Sequence, residues 1–154
     1  MRTGLIAGAI LGTLAVTLAA VASAGPVAAK QRVAIQESER GTFVLTPLVP
    51  GAIKRDTGTA SFCCWSARQV MRDGQASEID NPKVTLTLKR GTLVVRSRIE
   101  FVDIPGRWAV FTGTWKVIGG TGDYAGLYGS GRRAGVMLAG GGVRSQFEGF
   151  LGTR

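Results

Sequence analysis

The sequence predicts an all-β fold: a small antiparallel β-barrel, with a sandwich as the other closure of the same strands. Three observations carry this. Apolar and polar residues alternate with period two over several short stretches, the mark of strands with one buried face. Gly and Pro break these stretches at short intervals. No segment after the first two dozen residues repeats its apolar residues at helical spacing.

The chain has 154 residues, room for one domain. Its start differs from the rest. Arg2 gives a positive end, Leu5 to Ala22 runs without a charge, and Ala22-Ser23-Ala24 places small residues where a signal peptidase reads them. This predicts a signal peptide over 1–24, with an alternative cut after Ala29 at the end of Val27-Ala28-Ala29. The expected location is therefore secreted, extracellular. Residues 25–41 are polar and weakly patterned and read as a flexible arm or a first edge strand, leaving 42–154 for the barrel.

From Thr42 the strands follow in order. Phe43, Leu45 and Pro47 alternate with Thr42, Val44 and Thr46, and Pro50-Gly51 ends the run. Thr59 to Trp65 reads as a strand apolar on both faces near Cys63-Cys64-Trp65. In Lys83 to Lys89, Val84, Leu86 and Leu88 share one face, and Arg90-Gly91 turns the chain. In the next strand Leu93, Val95, Ile99 and Phe101 lie opposite Arg96, Arg98 and Glu100. Ile104-Pro105-Gly106-Arg107 suits a type II turn. Trp108 to Ile118 follows, with Phe111, Gly113, Trp115 and Val117 on one face. Arg133 to Leu138 and Val143 to Leu151 close the chain, the latter with Val143, Phe147 and Leu151 opposite Arg144, Gln146 and Glu148. Many of the 23 glycines fall in the C-terminal half, which favours a barrel, because its strands must bend to close.

Composition excludes more chemistry than it suggests. There is no histidine, which removes hydrolases with a histidine base and most zinc, copper and haem sites. No acidic cluster suggests calcium or magnesium, so neither metal nor cofactor is called for. Two cysteines, Cys63 and Cys64, are adjacent, about 3.8 Å apart at Cα and too close for an ordinary disulfide. In a strand they would point to opposite faces, one thiol buried and the other less buried. The formal charge is +9, or +8 without Arg2, but no basic run exceeds two residues and no aromatic platform accompanies them. Nucleic-acid recognition is not expected. After cleavage no stretch is long and apolar enough for a helical membrane span.

The segment Gly113-Thr114-Trp115-Lys116-Val117-Ile118-Gly119-Gly120-Thr121-Gly122-Asp123-Tyr124-Ala125-Gly126-Leu127-Tyr128-Gly129-Ser130-Gly131 resembles the allene oxide cyclase and dirigent barrel superfamily: a strand, a Gly-Gly-Thr-Gly turn, an aromatic residue, then a glycine-containing strand. The resemblance implies eight antiparallel strands, an apolar cavity, a homo-trimer, and handling of oxylipins or phenylpropanoid radicals. It carries no catalytic residue over to this chain. The glycines do not make a phosphate loop, since Asp123 follows where Lys and Ser or Thr would be needed.

The binding candidates are residues in the inward register of the strands. Ser97 and Asp103 continue the face of Leu93, Val95, Ile99 and Phe101, and Phe111 and Trp115 are the large aromatics of the next strand. Asp103 either stands at the mouth of a lumen or begins the turn that follows it; Phe111 and Trp115 either line a pocket or fill the core. Three functional readings stay open. The favoured one is a secreted barrel that binds a small apolar molecule. The others are a cyclase-like or dirigent-like catalyst, and a cell-envelope interaction module with a basic surface.

Overall fold

The computed structural model describes residues 30–64, 66–104 and 108–153. The expected signal peptide, the residues Pro105 to Arg107 of the expected type II turn, and Trp65 lie outside them. Ten strands form one antiparallel sheet: β1 (Gln31–Glu37), β2 (Thr42–Pro47), β3 (Asp56–Cys63), β4 (Ala67–Arg72), β5 (Gln75–Asp80), β6 (Lys83–Leu88), β7 (Gly91–Ile104), β8 (Trp108–Gly120), β9 (Leu127–Met137) and β10 (Val143–Thr153). Pairing of β7 with β8 closes eight of them, β1-β2-β3-β6-β7-β8-β9-β10, into a barrel in which strands follow the chain except that β3 pairs with β6 across the β4–β5 hairpin, and β10 returns to β1. No helix among the described residues is long and apolar enough to cross a membrane.

Two expectations need correction. β1 is hydrogen-bonded on one side to β10 and on the other to β2, so the barrel begins at Gln31 and its first strand is not an edge or an arm. Val33 and Ile35 are buried there, a short alternation that the polar flanks obscured. The hairpin of β4 and β5 was not foreseen, because its residues are mostly exposed and lack a clean apolar face. It prolongs the β3–β6 ladder beyond Cys64 and Asn81-Pro82, and β5 continues along β7 where β6 stops. Arg68 and Arg72 on the outer strand β4 discourage edge-to-edge pairing.

Period-two alternation places one face of every barrel strand inward. Phe43, Phe147, Trp115, Ile35, Leu45, Leu86, Leu93 and Leu151 are almost fully buried and fill the half of the lumen nearest the termini. The Trp115 indole lies beside Gly149, where a Cβ would come within 2.8 Å of the ring. Its Nε1 donates to the carbonyls of Arg132 (3.0 Å) and Glu148 (3.3 Å). Phe147 packs edge-on against both Trp115 and Phe43, with ring centroids 6.3 and 6.4 Å apart.

That end is closed by polar contacts. The buried Gln31 side chain donates to the carbonyls of Val49 and Ile53 and accepts from Ile53 N–H, pinning the β2–β3 loop across the opening. Gly122, at φ 58°, starts a short 3-10 turn (Gly122–Tyr124) whose Asp123 N–H donates to the Arg90 carbonyl. A Cβ on Gly122 would collide with that carbonyl. The turn brings the Tyr124 hydroxyl to 2.8 Å from Asp56. Asp56 also accepts from the backbone N–H groups of Thr57 (2.7 Å), Lys89 (3.3 Å) and Arg90 (3.1 Å).

Burial by itself would raise the Asp56 pKa, but the Tyr124 hydroxyl and the three N–H groups outweigh it and hold the carboxyl below its ordinary value. A folded pKa below the unfolded one gives stability that is complete above roughly pH 3.9 and is lost as pH falls through the folded value. Asp56→Ala should therefore cost on the order of 3 kcal/mol in urea unfolding at pH 7, since it leaves a buried hydroxyl and buried N–H groups without an acceptor. Asp56→Asn should flatten the loss of stability below about pH 4 that the wild type shows.

Candidate functional site

The opposite end, where the β1–β2 and β9–β10 turns and the far ends of β7 and β8 lie, is not filled. A cavity of about 250 Å³ opens there. Its apolar wall is Phe62, Ile99, Phe101, Phe111, Met137 and Val143, and its polar groups are Glu37, Asp80 and Arg133. Phe101 and Phe111 are paired across β7 and β8, ring centroids 5.0 Å apart. A wider groove of about 810 Å³ runs past the β1–β2 turn, but exposed Glu39, Arg40 and Arg144 line it, the pattern of a solvated surface.

Three strands build the floor of the cavity. Glu37 continues the inward face of Val33 and Ile35 on β1 and pairs with Ser145 of β10. Arg133 of β9 lies between Gly113 of β8 and Phe147 of β10. Its guanidinium is buried, 3.1 Å from the Glu37 carboxylate, and its Nη2 donates to Ser145 Oγ at 3.3 Å. The Ser145 hydroxyl donates to the same carboxylate. The guanidinium also sits 4.4 Å from the Phe147 ring centroid and 5.1 Å from that of Phe111.

These contacts leave the floor incompletely satisfied. Arg133 Nε is buried without a partner, as are Asp80 Oδ1 and Ser97 Oγ. Burial lowers the Arg133 pKa and the Glu37 carboxylate pulls it back, so the guanidinium stays charged. Burial, and then the neighbouring Glu78 carboxylate, raises the pKa of Asp80. The cavity is thus bordered by a buried, paired guanidinium and by one carboxyl that accepts a proton more readily than a free aspartate does.

The five residues singled out from the sequence divide. Phe101 and Phe111 line the cavity. Ser97 and Trp115 are cross-strand partners buried below it, in the filled core. Asp103 pairs with Ala109 near the end of β7, is exposed, and borders a separate hollow of about 220 Å³ beside β5 rather than the cavity. Sequence reasoning missed Glu37, Asp80 and Arg133. Glu37 was legible, two residues past Ile35 in the same register. Arg133 carried no distinguishing signal among the scattered basic residues, although Gly131 and Gly135 flank it at the inward positions of its own strand. Cys63 and Cys64 are both exposed, and neither is the buried thiol expected: β2 covers β3 only from Asp56 to Thr59, and Cys64 leaves the strand at φ 56°.

No family model, no curated protein and no solved structure matches the chain.

The buried ion pair sets a stability test. Glu37→Gln leaves the guanidinium in the lumen without its counter-charge and should cost about 3–5 kcal/mol in urea unfolding. The double variant Glu37→Leu with Arg133→Met should cost less than the sum of its two single changes, because neither charge is then left alone.

Proposed function

We propose that the protein is an exported barrel that binds one small, mainly apolar molecule in the lumen at its hairpin end. The observation that carries this reading is a cavity walled by Phe62, Phe101 and Phe111 over a buried ion pair of Arg133 and Glu37, whereas the hollow of about 350 Å³ at the other end lies among the polar contacts of Gln31, Arg90 and Tyr124. Ligand sites have this composition, apolar walls with a few fixed polar groups. At about 250 Å³ the cavity falls just under the usual range of roughly 300–1,000 Å³, which limits the occupant to a small molecule. Export is supported by the charge and small-residue pattern of Met1 to Ala24.

Titration with 1-naphthylamine tests this reading. The expected result is saturable fluorescence enhancement at one site per chain. Val143→Trp, which puts an indole into the mouth of the cavity, should abolish the enhancement while the circular dichroism stays that of the wild type. No enhancement with the wild type, or enhancement that Val143→Trp leaves unchanged, would reject the lumen as a binding site.

A further inference from the structure

On the outside of the barrel two neighbouring cysteines are both exposed. Cys63 ends β3 and Cys64 follows at φ 56°, a left-handed conformation uncommon for a residue with a side chain. In an uninterrupted strand neighbouring side chains point to opposite faces. The left-handed turn at Cys64 breaks that alternation, and both thiols are exposed. The Arg96 guanidinium donates to the Cys64 carbonyl at 3.2 Å, fixing the turn from the adjoining strands.

Register places two cations on the same outer face. Cys63 pairs with Lys83, and Lys83 pairs with Arg96. Phe62, one residue earlier, pairs with the buried Val84 and so belongs to the lumen face. The pair of thiols is therefore flanked by positive charge and open to solvent.

We propose that Cys63 and Cys64 form a two-thiolate site for a soft monovalent cation, copper(I). Thiolates select soft ions. A structural zinc ion takes four protein ligands, and among the described residues no group of three or more Cys, His, Asp or Glu side chains is placed to hold a metal. Copper(I) held by two thiolates carries one net negative charge, which Lys83 and Arg96 offset. Binding forms two S–Cu bonds and releases two protons without any change of oxidation state. Because ligation displaces protons from both sulfurs, affinity rises with pH.

The test is anaerobic competition between the reduced full-length protein and bicinchoninate for copper(I), with the protein's size followed by gel filtration. The expected result is one copper(I) per monomeric chain, with Cys63→Ser and Cys64→Ser each losing retention to the level of the double serine variant. Lys83→Glu should weaken retention severalfold at low salt with the fold intact. Four results would overturn the proposal: no retention above the double variant, full retention by either single variant, one copper shared between two chains, or zinc(II) retained as tightly as copper(I).

Discussion

Seven residue pairs between β1 and β10, from Gln31↔Leu151 to Glu37↔Ser145, join the first and last strands of the barrel, and the lumen depends on them. Without that ladder β1 and β10 would be sheet edges and the inward faces of eight strands would meet water. The same register does two further jobs. At one end it puts Gln31 under the β2–β3 loop, whose Val49 and Ile53 it holds. At the other it sets Glu37 against Ser145, beside Arg133 of the next strand. A slip by one residue would turn Val33, Ile35 and Glu37 outward together and dismantle both ends.

The two ends use buried charge differently. Asp56 is surrounded by donors: a tyrosine hydroxyl, three backbone N–H groups and, at 3.7 Å, Arg90. It is a finished structural knot, and the Gly-Gly-Thr-Gly turn that carries Tyr124 belongs to it. Arg133 has one carboxylate, one hydroxyl and aromatic faces, and retains an unused N–H inside the molecule. A group so placed costs stability, unlike the fully partnered Asp56. The aromatic side chains follow the same division: Trp115 and Phe147 interlock in the filled half, whereas Phe101 borders the cavity with the buried Phe111 ring against it.

Much of the fold was legible because alternation is a direct consequence of strand geometry. Leu93, Val95, Ile99 and Phe101 face the lumen, as do Phe111 and Trp115, and these strands needed no tertiary knowledge. β1 was harder, since only Val33 and Ile35 mark it as inward. β4 and β5 were illegible for a physical reason: they form a hairpin that extends beyond the ring, so neither strand carries the clean apolar face that burial imposes. The site was half legible. Its aromatic wall follows from period two, but the floor required knowing that β9 lies beside both β8 and β10. A charge at an inward position looks like any surface arginine until its neighbours across the sheet are known.

The central claim is that the lumen is packed around Phe147 and Trp115 and opens into a cavity beside Phe101. Urea unfolding of Phe147→Ala and Phe101→Ala, measured side by side at pH 7, tests it most directly. Phe147 is enclosed by Trp115, Phe43 and Arg133, so its loss should cost about 3–5 kcal/mol. Phe101 has packed atoms on one side and cavity on the other, so its loss should cost roughly half as much or less. Equal, full core-like costs at both positions would contradict the account, because they would mean that the ring of Phe101 is as tightly enclosed as that of Phe147.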